Sequence, residues 1–220
     1  MKAIIILLLG VLSVKSYSQT FGIVKNRYYN ANNANDTGWV FSIKVEYDTC
    51  KPKIYSAGCD FGELPNMTDS VKLFLIESLL SKLRDTSICG KPVEALSYRY
   101  KGRYNRNPQS TKYNLQIEAL ILINYIALSS EAISYSPFPV MYDNKKRKEI
   151  TTAGKELNAV IKCYNKWFKR IKKKGLNTSL PMISKRYEWY GSMYHKQRSF
   201  DAPPKWEKLY SCPVLIKQED

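Results

Sequence analysis

The stretch LQIEALILINYIAL, residues 115–128, decides the fold of this chain. It is apolar nearly all the way round a helix, whereas a surface helix carries one apolar stripe and one polar face. We therefore predict that residues 110–134 form a central, buried helix. Gln116, Glu118 and Asn124 interrupt the run, and a membrane span needs about 20 consecutive apolar residues. The sequence therefore predicts a core helix and no transmembrane segment.

Two further helices are predicted from apolar residues at steps of three and four. One spans residues 68–85, with Thr68 or Asp69 as its N-cap. The other spans residues 152–175. After it, the chain is rich in Tyr, Trp and Pro, and turns and short helices are expected there.

Strands are predicted mainly before the central helix. Residues 40–47, VFSIKVEY, alternate between apolar and polar side chains, which is typical of a half-buried strand. Residues 53–57 are expected to pair with it as a hairpin, and residues 93–104 are a further strand candidate. Residues 136–150 are expected to form a second hairpin that turns at residues 143–144. The order of elements predicts a single α+β domain with an early antiparallel hairpin or sheet and three main helices.

The first 18 residues have the layout of a secretory signal peptide. Lys2 is followed by an apolar run of about 12 residues, shorter than a membrane span, and Ser16 and Ser18 fit the cleavage positions before Gln19. We therefore expect residues 1–18 to be removed and residues 19–220 to form one globular domain. The predicted location is periplasmic or secreted.

Five cysteines lie in the predicted mature chain, and export permits disulfides. Cys50 and Cys59 flank a short loop that contains Pro and Gly, and we predict that they form a disulfide. Cys163 and Cys212 are a second possible pair, and the odd count leaves at least one thiol free or paired between chains. With no C-x-x-C and a single histidine, neither a metal nor a cofactor is predicted.

The third predicted helix joins an apolar stripe to an unusually basic surface. Thr151 or Thr152 can cap its start, and Gly175 suits a left-handed conformation past its end. The segment 145–174 contains 12 Lys or Arg residues and only 2 acidic residues, in a chain of net charge +16. Cations in the last turn offset the helix dipole, which accounts for two or three of them. Most of the net positive charge of the chain thus lies in this one segment. A surface with concentrated positive charge attracts anions.

The candidate anion-binding side chains are the seven cations in the middle and C-terminal part of this helix, outside its apolar stripe. They are Lys162, Lys166, Lys169, Arg170, Lys172, Lys173 and Lys174. The alternative is an ordinary solvated face on a helix whose Trp167 and Phe168 belong to the core. An acidic envelope component or protein is the expected partner. Nucleic acid is not expected, because no reader fold is recognisable, and peripheral membrane contact stays open.

A second group of residues offers a different chemistry. His195 lies among Tyr187, Trp189, Tyr190 and Tyr194, and an exported hydrolase or carbohydrate-active protein can use such an aromatic pocket. The alternative is that these aromatic side chains pack against the helices.

Two glutamates lie within apolar helices. Glu77 and Glu118 are either carboxylates poised for catalysis or partners of the many lysines. No nucleophile elbow, phosphate loop or zinc-protease motif is present, so the sequence favours a role other than catalysis. A structural accessory subunit is the third alternative.

The motifs SPFPVMYD, KCYNKWFKRIKKKGL and SKRYEWYG resemble those of a group of uncharacterised exported Bacteroidota proteins. In that group an apolar helix, a hairpin and a lysine-rich helix follow one another, and the resemblance covers residues 110–191. It implies an envelope or secreted location. It carries no activity and no functional residues over to this chain.

Overall fold

The protein is an α+β domain with two small antiparallel sheets and three main helices, as the sequence predicts. We describe it from a computed structural model. The described residues are 19–30, 33–48, 50–57, 64, 66–97, 107–176, 180–181 and 184–194.

The first sheet is formed by three consecutive strands in the order β1-β2-β3. They are β1 (Gln19–Asn30), β2 (Asn33–Tyr47) and β3 (Cys50–Ser56). The predicted hairpin of β2 and β3 is confirmed, and β2 is longer than its alternating segment. Strand β1 was not predicted, because its residues alternate poorly and its order comes from pairing with β2 along its length.

Helix α1 (Asp69–Ser81) follows the first sheet, and Thr68 caps it by accepting a hydrogen bond from the Val71 N–H. The strand predicted over residues 93–104 does not form over residues 93–97, and its remainder lies outside the described residues. There the backbone makes single bonds to loops, such as Leu96 N–H to the Pro137 carbonyl at 2.8 Å, and no ladder.

Helix α2 (Leu115–Leu128) is the centre of the core. Only Ala127 of its residues is not buried, and α2 contacts α1, β2 and the short helix α3 (Ala132–Tyr135). The stretch Leu115–Tyr135 is long and apolar enough to cross a membrane, but 72% of its most apolar window is buried inside the fold. That burial is typical of a core helix.

The three polar side chains that interrupt α2 connect it to three different parts of the chain. Gln116 Nε2 donates to the Leu83 carbonyl at 2.6 Å, just beyond α1. Glu118 accepts from Lys91 at 2.9 Å, and Asn124 accepts from a tyrosine of the last helix at 2.7 Å. Because a buried polar group without a partner is costly, these contacts fix how the elements dock on α2.

The second sheet has the order β5-β4-β6. It consists of β4 (Met141–Asp143), β5 (Lys148–Ile150) and β6 (Tyr187–Trp189), all antiparallel neighbours. The predicted second hairpin is confirmed, but its turn spans residues 144–147, because Asp143 still pairs with Lys148 in the strands. Strand β6 lies where turns and short helices were expected, and it becomes a strand by pairing with the distant β4.

Helix α4 (Lys155–Lys174) is the third main helix. The predicted threonine caps are wrong, because Gly154 occupies the N-cap without a side-chain hydrogen bond. The carbonyl of Thr151 instead accepts from the Asn114 N–H at 2.9 Å, which holds that residue beside the start of α2. Gly175 has a φ of 93° past the helix end, in the positive region that favours glycine.

The cysteine predictions fall mainly outside the described residues. Cys50, Cys89 and Cys163 form no disulfide with one another. Cys59, the predicted partner of Cys50, and Cys212 lie outside the described part of the chain, so both pairings stay predictions. The same holds for the signal peptide over residues 1–18.

Candidate functional site

Helix α4 is fixed in the fold by its apolar stripe. Its buried residues are Leu157, Val160, Tyr164, Trp167, Phe168 and Ile171. At the centre of the stripe the Tyr164 hydroxyl donates to Asn124 Oδ1 at 2.7 Å and accepts from Trp189 Nε1 at 3.0 Å. Burial raises the pKa of Tyr164 well above its ordinary value. These contacts set the rotation of α4, so its opposite face must point into solvent.

All seven predicted anion-binding side chains lie on the exposed part of α4. They are Lys162, Lys166, Lys169, Arg170, Lys172, Lys173 and Lys174. Lys172 differs from the lysines opposite the stripe, because its Nζ lies 3.1 Å from Glu77 Oε1 and 5.4 Å from the centre of the Phe168 ring. It is therefore engaged with the neighbouring helix α1.

Five lysines form a straight row opposite the buried stripe, which we call the lysine row. Its members are Lys155, Lys162, Lys166, Lys169 and Lys173, all exposed. At about 100° per residue their positions fall within an arc of about 60°, and at about 1.5 Å per residue the row is about 27 Å long. Lys155 was not among the predicted residues, although its spacing from Lys162 would have placed it there.

The lysine row makes no ion pair within the described part of the chain. Six acidic side chains in that part are instead paired with other cations. The pairs are Asp85–Lys25, Glu46–Lys44, Glu118–Lys91, Glu156–Lys146, Glu77–Lys172 and Asp143–Arg186. The row is thus a concentration of positive charge that the described acids leave uncompensated.

The basic segment 145–174 does not form one surface, because its first cations belong to the turn between β4 and β5. Lys146 Nζ lies 2.5 Å from Glu156 Oε1 in the first turn of α4. Arg147 and Lys148 instead line a cleft beside the second sheet. The segment therefore contributes cations to two separate places.

This cleft has a volume of about 780 Å³ and polar walls. Its floor includes Tyr142 on β4, whose neighbours across the sheet are Glu149 on β5 and Glu188 on β6. Tyr190 meets the Tyr142 ring at 75° with 6.0 Å between ring centres. Asn107, Gln109 and Ser110 also line the cleft.

Most of the aromatic region predicted around His195 is packed in the core. Tyr187, Trp189 and Tyr194 are buried, and the Tyr194 hydroxyl donates to Glu131. Tyr190 alone among the four predicted aromatic residues lines the cleft. His195 itself lies outside the described residues, so its role stays a prediction.

A buried polar cluster lies between α2 and the loop that follows α1. The carboxylate of Glu118 is fully buried and accepts from Lys91 Nζ and the Tyr113 hydroxyl, at 2.9 Å each. Burial, with the Glu118 charge as the second cause, raises the pKa of Tyr113 and raises that of Cys89 to about 12. Lys91 thus balances the charge of a carboxylate inside the core. Because of its raised pKa, the Cys89 thiol stays protonated and unreactive.

Both glutamates singled out from the sequence are partners of lysines. Glu118 pairs with Lys91, and Glu77 pairs with Lys172 on the surface. Glu118 is buried in the core while the Glu77 side chain is 59% exposed, so the two carboxylates do not form a common site. Within the described ranges no group of three or more His, Cys, Asp or Glu side chains is placed to hold a metal ion.

No protein-family model, curated protein or solved structure matches this chain. The resemblance to exported Bacteroidota proteins therefore stays a prediction.

Proposed function

We propose that this protein binds an acidic polymer of the cell envelope along the outer face of α4. The observation that carries the proposal is the lysine row, five exposed lysines in a line of about 27 Å with no ion pair in the described part of the chain. Ammonium groups spaced along one axis suit an extended chain whose negative charges also repeat along one axis. Binding would release the counterions of that chain.

The composition of the face favours a linear polymer over a folded protein partner. The exposed positions of α4 carry Lys, Arg and Asn, and its aromatic side chains are buried. Protein interfaces are enriched in aromatic residues and depleted in lysine. A face of this composition binds through charge and leaves its partner solvated.

The same burial argues against insertion of α4 into a membrane. An interfacial amphipathic helix places its apolar face among the lipid chains, whereas Leu157, Tyr164 and Ile171 are fully buried in this core. Contact with a lipid surface would be limited to attraction between the lysine row and anionic head groups. An acidic polysaccharide in the periplasm or outside the cell is the partner we propose.

Binding isotherms for the purified protein test this proposal. The probes are polygalacturonate, anionic phosphatidylglycerol vesicles and a DNA duplex, each at low and at physiological salt. The row variant replaces four lysines by glutamine, which keeps a high helix propensity. Its positions are Lys162, Lys166, Lys169 and Lys173. The matched control removes the same charge at four exposed lysines elsewhere, namely Lys51, Lys53, Lys112 and Lys185.

We expect polygalacturonate to bind at physiological salt and the row variant to lose affinity on the order of a hundredfold, because each contact that releases a counterion is worth about fourfold at this salt. The control variant should lose much less. Binding of every probe only at low salt, with equal losses in both variants, would show unspecific attraction. The proposal would then fail, and a structural accessory role would be favoured.

A further inference from the structure

The cleft beside the second sheet has the dimensions and the walls of a ligand site. Its volume of about 780 Å³ falls in the range of about 300–1,000 Å³ that is typical of small-molecule sites. Its lining is rich in amide, hydroxyl and charged groups, including Asn107, Gln109 and Ser110. Such walls match a ligand with many hydroxyl groups better than an apolar one.

Two tyrosines give the cleft a fixed aromatic surface. The ring of Tyr190 packs edge to face with Phe138 at 5.9 Å and with Tyr142 at 6.0 Å, and its hydroxyl donates to the Asn107 carbonyl at 3.3 Å. Tyr142 is half-buried on the middle strand. An aromatic ring with a polar tip presents an apolar face and a hydrogen-bonding group to the same ligand.

The charges of the cleft are arranged unevenly. Glu149 is occupied, since its two carboxylate oxygens accept from the backbone N–H groups of Gln109 and Ser110, at 2.8 Å each. Arg147 and Lys148 are exposed at the β5 side of the cleft, and Glu188 lies at the β6 side. The β5 side therefore suits an anionic group.

The turn that carries Arg147 is held rigidly in a costly conformation. Arg147 has a φ of 52°, in the left-handed region that costs a residue with a side chain about 1–2 kcal/mol. Asp143 Oδ1 accepts from the N–H groups of Lys145 and Lys146, at 3.0 and 3.1 Å, and Arg186 binds both Asp143 oxygens. These hydrogen bonds hold the backbone from which the Arg147 side chain extends toward the cleft.

We propose that this cleft binds an acidic sugar unit of the hexuronic acid type. The sugar carboxylate would contact the Arg147 guanidinium and the Lys148 ammonium, the ring face would lie against Tyr142, and hydroxyl groups would reach the polar side chains of Gln109 and Ser110. A ligand of about two or three sugar rings fits a site of this size. The lysine row contributes none of the lining residues, so this site and the function proposed above stand or fall separately.

Calorimetric titration of the purified protein with trigalacturonate, beside the neutral trisaccharide maltotriose, tests the site. The decisive variant is Arg147→Gly. Because glycine takes a positive φ without strain, this variant should fold normally, and a loss of binding could not be attributed to unfolding. We expect trigalacturonate to bind, Arg147→Gly to weaken it at least tenfold with an unchanged or higher melting temperature, and Tyr142→Thr to weaken it as well. The row variant should bind the trisaccharide like the unaltered protein.

Three results would overturn the proposal. One is no heat of binding with trigalacturonate. Another is equal affinity for maltotriose with no effect of Arg147→Gly, which would remove the role of the acidic group. The last is loss of trisaccharide binding in the row variant with Arg147→Gly unaffected, which would transfer the ligand to the lysine row.

Discussion

Replacing Lys91 by methionine should destabilise the fold far more than replacing an ordinary surface lysine. Lys91 Nζ lies 2.9 Å from Glu118 Oε1, and the exposed fractions of the two side chains are 13% and 0%. Methionine keeps the length and packing of the lysine stem but removes the charge. Among the described residues, the carboxylate of Glu118 then keeps the Tyr113 hydroxyl as its one remaining partner.

Removing one partner of a buried ion pair costs about 3–5 kcal/mol. We expect a loss of about 3 kcal/mol, at the lower end of that range, since the Tyr113 hydroxyl still donates to Glu118 and position 91 keeps some access to water. For a domain of about 200 residues this corresponds to a fall in melting temperature of about 6–12 °C. Because Glu118→Gln removes the buried charge itself, Lys91→Met should cost only about 1 kcal/mol in that background.

Urea unfolding at pH 7, followed by tryptophan fluorescence, measures these differences. Lys172→Met is the matched control, because Lys172 pairs with Glu77 at 3.1 Å while the two side chains are 48% and 59% exposed. Such a surface pair is worth at most about 1 kcal/mol. The reasoning is refuted if Lys91→Met costs no more than Lys172→Met, or if its cost is the same with and without Glu118→Gln.

Three further predictions concern the described core and the second sheet. Arg186, through its hydrogen bonds, holds the pKa of Asp143 at about 2, below its ordinary 3.8, and a lowered folded pKa gives stability that is lost as pH falls through that value. The free energy of unfolding should therefore decrease between about pH 4 and pH 2. The Asp143→Asn variant should be less stable at neutral pH and should lose less stability over this range, and an equal loss in both proteins would contradict this. In Gly90→Ala the new Cβ would lie 2.8 Å from a side-chain carbon of β1, while in Gly22→Ala it meets nothing within 4 Å. Thermal unfolding should show a loss of about 1–3 kcal/mol for the first and little change for the second, and equal losses would be contrary evidence. Burial that raises the pKa of Cys89 to about 12 should protect this thiol from iodoacetamide at pH 8 until urea unfolds the protein, as peptide mass spectrometry can show; rapid native labelling would argue against burial.

The sequence predicts those helices and strands whose pattern of apolar and polar residues is visible within the segment itself. Helix α2 is apolar on every side and becomes the core, and β2 alternates and becomes the middle strand of the first sheet. Strands β1 and β6 were missed because their order comes from partners elsewhere in the chain. A strand candidate without a ladder partner, as at residues 93–97, does not become a strand.

In the candidate sites, too, residues of one helix can be predicted, while residues brought together from distant segments cannot. The exposed lysines of α4 follow from the helical period, which also supplies Lys155. That Lys172 is paired could not be predicted, because its partner Glu77 lies 95 residues away in sequence. The cleft was not predicted either, because Glu149, Tyr142 and Glu188 become neighbours only when three short strands pair.

Lysine acetylation footprinting in the presence and absence of polygalacturonate tests the central claim most directly, because it locates the contact on the unaltered protein. The fraction of each lysine that is modified is read by peptide mass spectrometry at physiological salt. The account predicts strong protection of the lysine row, with Lys51, Lys53, Lys112 and Lys185 unchanged. Even protection of all exposed lysines, or protection that omits Lys162, Lys166, Lys169 and Lys173, would contradict it.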